Sequence, residues 1–262
     1  MSYTLIIIFA SISLFIGIGP LLIYALWKFG LNKKLWFACF LGGLFWFLAF
    51  IARIYFLFLI NTSSLSLVLK IFLAALLAGT VETSFRVLLL YSLKKYTANS
   101  KEKVILTGIG WGLGEAIFLH SFSMINIIYG AITQNPALVN LFGIESFLLF
   151  GGYERILAEL LHIFLTILTF YGIKKYLKTS TSKPLMDNAF TKYPKPELLW
   201  IPIVIILHFA FDFSIVLLSY MVDLFTLYII FTVVIVILYS YVWNRTTYTC
   251  YINKDNCYST ND

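Results

Sequence analysis

Charge is what this sequence has least of. Only 12% of its 262 residues are charged, against 61% hydrophobic, and its mean hydropathy is +0.91. Soluble domains average about 25% charged and 45–50% apolar, so there are too few polar side chains here to cover a water-exposed surface. That excludes a soluble globular enzyme and a disordered chain. Cysteine is scarce as well. Cys39 lies in an apolar run, Cys250 and Cys257 lie in the polar C-terminal stretch, and no CxxC or Cys/His spacing occurs. A disulfide-rich module and a cysteine-based metal site are excluded on that ground. Basic residues are missing ahead of the first apolar run, which begins at Tyr3. The N-terminus therefore reads as a retained span rather than a cleaved signal peptide.

What remains is a series of apolar runs of membrane-spanning length. At about 20 residues per span, the chain reads as an all-α membrane protein with seven transmembrane helices, over residues 3–27, 35–60, 65–93, 104–129, 144–173, 198–220 and 224–243. Residues 1–243 make one seven-helix transmembrane domain, and residues 244–262 a polar tail. The stretch 179–197, punctuated by Pro184, Pro194 and Pro196, reads as a linker. Twenty-five Phe, 17 Tyr and 6 Trp suit the two bilayer interfaces.

The basic residues alternate from loop to loop. Lys28, Lys33 and Lys34 lie in the first connection, Lys94, Lys95, Lys101 and Lys103 in the third, and six lysines from Lys174 to Lys195 in the fifth. The second and fourth carry none, and the tail carries Arg245 and Lys254. Enrichment of Lys and Arg on the cytoplasmic side puts the N-terminus outside and the C-terminus in the cytoplasm. It also accounts for the net charge of +7 without a nucleic-acid partner. A Lys-, Ile- and Phe-rich chain suits a multi-pass protein of a prokaryotic cell membrane.

An ionisable group in hydrocarbon costs at least about 2.5–3.5 kcal/mol on insertion scales, so those inside the spans carry the information. They include Arg53, Lys70, Glu82, Arg86, Glu115, His120, Glu154, Arg155, Glu159, His162, His208 and Asp212. Lys70 sits near a span end and can snorkel; Arg53 does likewise or pairs inward. Glu82/Arg86 and His208/Asp212 are spaced i, i+4, and Arg155, Glu159 and His162 form one helical stripe, in which Arg155 and Glu159 are expected to pair. His120 and Glu154 read as structural. Counted from the cytoplasmic span ends, Glu82, Glu115, His162 and His208 fall about 15–17 Å deep on four different helices. Four polar side chains at one level predict one buried or water-filled pocket, opening toward the cytoplasmic half. Gly108, Gly110, Gly112 and Gly114 make small faces on which neighbouring helices can pack closely.

A carboxylate with two histidines in a wet pocket suits activation of water. Glu82, Glu115, His162 and His208 are the catalytic candidates, supported by Arg86, Arg155, Glu159 and Asp212. The ExxH spacing of Glu159 and His162 is one that metal-binding bundles use, so His162, His208 and Glu159 are candidate ligands for a divalent metal such as zinc. No HExxH or GxSxG occurs. A proton-relay transporter draws on the same residue types.

Glu82-Thr83-Ser84-Phe85-Arg86, Gly112-Leu113-Gly114-Glu115, Glu154-Arg155 with His162, and His208-x-x-x-Asp212 resemble the motifs of YhfC-type intramembrane metallopeptidases, distant relatives of the type II CAAX prenyl endopeptidases. That resemblance implies Glu82 as the general base, with Glu115, His162 and His208 around it and Arg86 and Asp212 orienting them. Thr83 stands where the motif has a second acid, and Trp111 where a histidine is expected. Ile18-Gly19-Pro20, Gly42-Gly43-Leu44-Phe45-Trp46-Phe47, Phe85-Arg86 with Lys94-Lys95, and the single histidines His162 and His208 also look like the Aph-1 subunit of γ-secretase. That likeness implies the same seven-span topology, with the histidines holding a scaffold together and no chemistry. The carboxylates favour an intramembrane peptidase acting on membrane-embedded protein substrates. The alternative is a non-catalytic scaffold packed against partner helices.

Overall fold

The computed structural model describes residues 2–135, 144–177 and 199–252. The linker reading of residues 179–197, the lysines within it, Lys254 and Cys257 lie outside the described residues. Among the described residues the fold is all helical, with no strand.

The long helices are α1 (Tyr3–Phe29), α2 (Lys33–Thr62) and α3 (Leu67–Ser92), followed by the single turn α4 (Lys94–Thr97). Next come α5 (Lys101–Glu115), a π-helical stretch Ala116–Ser121 and α6 (Phe122–Ile132), forming one continuous rod. The remaining helices are α7 (Ile144–Leu177), α8 (Trp200–Leu218) and α9 (Leu224–Ile252). Side-chain oxygens of Ser2, Asn32, Ser66 and Ser100 cap the starts of α1, α2, α3 and α5. At the tight α8–α9 turn, Asp223 Oδ1 accepts from the Thr226 amide at 2.9 Å, which holds this exposed carboxyl below its usual range.

Six helices are long and apolar enough to cross a membrane. The seventh expected span falls in α9, whose apolar part, Leu224–Ser240, is shorter. The helix does not stop at residue 243 but continues to Ile252, so the expected tail begins as helix. The fourth span also departs from a plain α-helix, because its π-helical stretch starts directly after Glu115. Pairing in that stretch is shifted by one residue, as π-bulges do, frequently at functional sites.

Glycine sets the closest approaches. A Cβ on Gly42 would fall on the Thr107 carbonyl oxygen, and one on Gly110 on the Cys39 carbonyl oxygen. Gly114 faces Gly43 in the same α2–α5 contact. On its other side, α5 meets α7, where a Cβ on Gly112 would come 2.8 Å from Glu159 Cα and one on Gly108 2.8 Å from Ile163 Cα. Gly79 brings α3 equally close to the α8 backbone at Ile205 and Phe209. The glycine-rich sequence of α5 thus places this helix between two neighbours at backbone distance, as small residues in membrane bundles do.

Candidate active site

Five helices bring their polar side chains together at the centre of the bundle. Glu82, on α3, is 1% exposed. Its Oε1 pairs with Arg53 Nη1 of α2 at 2.6 Å, and its Oε2 accepts from the Trp111 indole of α5 at 3.0 Å. Arg86 Nη2, one turn on, lies 3.9 Å from Oε2, and His208 Nε2 lies 3.8 Å from it. The Arg86 guanidinium also stacks over the Trp111 ring, 4.4 Å from its centroid. Thr83, at the motif's second acidic position, is fully buried with an unpartnered hydroxyl.

The second half of the cluster is built on Glu115 and His162. Glu115 Oε2 is 2.6 Å from His162 Nε2, and its Oε1 accepts from Arg155 Nη1 at 2.8 Å. Arg86 Nη2 donates to His162 Nδ1 at 3.1 Å. An arginine can only donate, so these partners fix the tautomer: Nδ1 accepts and Nε2–H points at the carboxylate. The rings of His162 and His208 meet edge to face, 5.4 Å between centroids. His208 Nε2 is also 3.5 Å from Asp212 Oδ2.

The four residues expected at one depth thus belong to one cluster. Other expectations need correction. Arg155 does not pair with Glu159, its neighbour one turn away. It pairs with Glu115 on α5 and with the adjacent Glu154, because Glu115 approaches from the facing helix with a carboxylate already oriented. Glu159 points elsewhere, buried against Gly112 with neither carboxylate oxygen hydrogen-bonded. It is also absent from the one group whose ligating atoms lie within 4.8 Å of one another among the described residues, Glu82, His162 and His208. His120 stands apart, its Nε2 3.1 Å from the Ser13 carbonyl and its ring against Gly17.

Sequence reasoning missed Arg53 and Trp111 as partners of Glu82. The signal for Arg53 was its depth: it lies well inside the second span, where a snorkelling arginine would be near an end. Trp111 was marked only as standing where the resembled motif has a histidine, which gave no sign that it would donate to Glu82.

A cavity of about 420 Å³ reaches the cluster. Glu115, Arg155, His162 and Asp212 line its inner part, and Arg53 adds a buried guanidinium. Asn61, Leu67 and Lys70 form its mouth at the α2–α3 connection, where Lys70 Nζ donates to the Asn61 carbonyl. It therefore opens at the end of the bundle away from Lys94, Lys101 and Lys103, not toward the expected cytoplasmic half. Depth along the helices does not encode which end stays open; side-chain packing decides it. Glu82 and His208 lie behind this cavity, while Glu115 keeps 16% of its side chain exposed.

Comparison with known protein families, curated proteins and solved structures finds no match to this chain.

Proposed function

We propose that this chain is an integral membrane hydrolase of the peptidase type, which cleaves peptide bonds of membrane-embedded substrates with a glutamate-activated water beside two histidines. The observation that carries this reading is the Glu115–His162 pair, 2.6 Å apart at the inner end of the 420 Å³ cavity. The geometry favours Glu115 over Glu82 as the base. Glu115 lines the cavity and keeps 16% of its side chain exposed, whereas Glu82 is not part of the lining and is 2% exposed.

In the proposed step, Glu115 takes a proton from a water in the cavity, and the hydroxide adds to the carbonyl carbon of the scissile bond. His162 orients Glu115 through Nε2–H, and Arg155, on the cavity wall, faces the negative charge that develops on the carbonyl oxygen. The proton on Glu115 then passes to the leaving nitrogen as the C–N bond breaks, giving one amine and one carboxylic acid, which gives up its own proton to water. A divalent cation would take the place of bonds within the cluster, since both His162 nitrogens and both Glu82 oxygens have protein partners. Glu82, His162 and His208 supply two imidazoles and a carboxylate, a donor set of catalytic zinc, and the buried His208 Nδ1 has no partner. Such an ion, when bound, supplies Lewis-acid polarisation of a carbonyl.

A second reading, a non-catalytic scaffold in a membrane complex, is favoured by the saturation of Glu82. Arg53, Trp111 and Arg86 join α2, α5 and α3 around it, as interhelical hydrogen bonds in structural bundles do. The test is cleavage of transmembrane peptides by the purified, reconstituted protein, read by mass spectrometry. Hydrolysis is expected to disappear in Glu115→Gln while the melting profile holds. A protein that cleaves nothing and co-purifies with stoichiometric membrane subunits is a scaffold.

A further inference from the structure

A second large cavity lies apart from the polar cluster. It is a groove of about 470 Å³ among α1, α5, α7 and α9. Along α7 it extends from Ile156 to Tyr171, about 22 Å at the helical rise.

Its surface is hydrocarbon for most of that length, with Leu21 from α1, Ile105 from α5 and Leu160, Ile163 and Ile167 from α7. Glu159 contributes only its methylene stem, since both its carboxylate oxygens are buried away from the groove. Exposed charge enters at one end, where Lys101 lines the mouth at the first turn of α5. The helix N-terminus adds partial positive charge there, and Lys174 lies over the Tyr171 ring at the same end, 5.6 Å from its centroid. Glu102, on the same turn, is not part of the lining.

A long apolar groove with a cationic mouth matches an amphiphile with one negative headgroup and a long chain. We infer that the groove is a binding site for one acyl chain of an anionic membrane lipid, its phosphate on Lys101 and its chain running along α7 toward Glu159. The site is separate from the Glu115–His162 pair and stands whether or not that pair hydrolyses anything.

The test uses the full chain in nanodiscs holding photoactivatable phosphatidylglycerol or phosphatidylcholine, each with a diazirine on one acyl chain, and maps the adducts by mass spectrometry. The phosphatidylglycerol probe is expected to label α5 and α7 around Ile105 and Ile163. Lys101→Gln is expected to lower that labelling about fivefold, the contribution of one lysine near a membrane surface. Ile105→Trp fills the groove from one wall and Ile167→Trp from the other, so a blocking variant remains if one fails to fold; either is expected to abolish the adduct. No adduct in the groove, equal labelling by phosphatidylcholine, or labelling indifferent to the blocking variants overturns the inference. Displacement of the adduct by a transmembrane peptide also overturns it, by assigning the groove to peptide.

Discussion

Trp111 of α5 donates its indole N–H to Glu82 of α3 at 3.0 Å, while its ring carries the guanidinium of Arg86. One side chain thus satisfies an anion at its edge and a cation at its face, in a region where neither can reach water. Trp111→Phe keeps the ring and removes the donor. The Glu82 oxygen left short of a partner is expected to cost about 1–3 kcal/mol, read as a lower melting temperature in detergent. Unchanged melting would mean that the indole N–H contributes nothing.

Glu159 presents the opposite case. Its carboxyl is enclosed with no hydrogen bond to either oxygen, an arrangement that burial penalises. Glu159→Met replaces it with an apolar side chain of similar length. Thermal unfolding is expected to shift upward, because the change removes a buried polar group with no hydrogen bond, an arrangement that costs about 1–3 kcal/mol. A downward shift would reveal a partner for Glu159 in the membrane.

The glycines of α5 are not interchangeable with those of α1. A methyl on Gly110 would strike the Cys39 carbonyl oxygen, a backbone atom that cannot swing aside. A methyl on Gly19 would meet the Phe15 ring at 3.0 Å, a side chain that can turn. Gly110→Ala is expected to destabilise by about 1–3 kcal/mol, the usual cost of overpacking, and Gly19→Ala to leave melting near wild type. Equal effects would mean that α2 yields to the added methyl.

Metal binding has its own readout. If Glu82, His162 and His208 take zinc, titration of the chelator-treated protein in detergent is expected to raise its melting temperature at saturating metal. His208→Ala, which removes the ligand with an unpartnered ring nitrogen, is expected to abolish that rise. A zinc response that survives His208→Ala places the ion elsewhere.

Topology rests on the lysine alternation and is checked by thiol labelling. Cys39 is buried at 7% exposure, so modification of the folded protein reports on Cys250 and Cys257. A membrane-impermeant reagent is expected to label them only after the cytoplasmic face is opened. Labelling in intact cells would reverse the assignment.

Much of the cluster was legible because helical rise is uniform: counting residues sufficed to put Glu82, Glu115, His162 and His208 at one level. Partner choice was not legible. Local spacing paired Arg155 with Glu159, yet Glu115 reaches the guanidinium from the next helix, and nothing in either helix alone encodes that competition. The same limit hid Trp111, a neutral residue whose importance comes from the charge opposite it. The π-helical stretch after Glu115 has no sequence signature either, since it is a difference of one residue in hydrogen-bond register that packing selects.

The glycine contacts divide the bundle in a way that bears on motion. Helix α5 is held at backbone distance by α2 on one side and α7 on the other, so these three cannot slide past one another without collision. Helices α3 and α8 are joined in the same manner through Gly79. The seam between the two bodies runs through the polar cluster itself: Glu82, Arg86, His208 and Asp212 ride on one, and Arg53, Trp111, Glu115, Arg155 and His162 on the other. Any shift of the α3–α8 pair would therefore part the two histidines and break the Arg53–Glu82 and Trp111–Glu82 bonds together. The cluster thus ties the α3–α8 pair to α2, α5 and α7 through side chains rather than backbone contact.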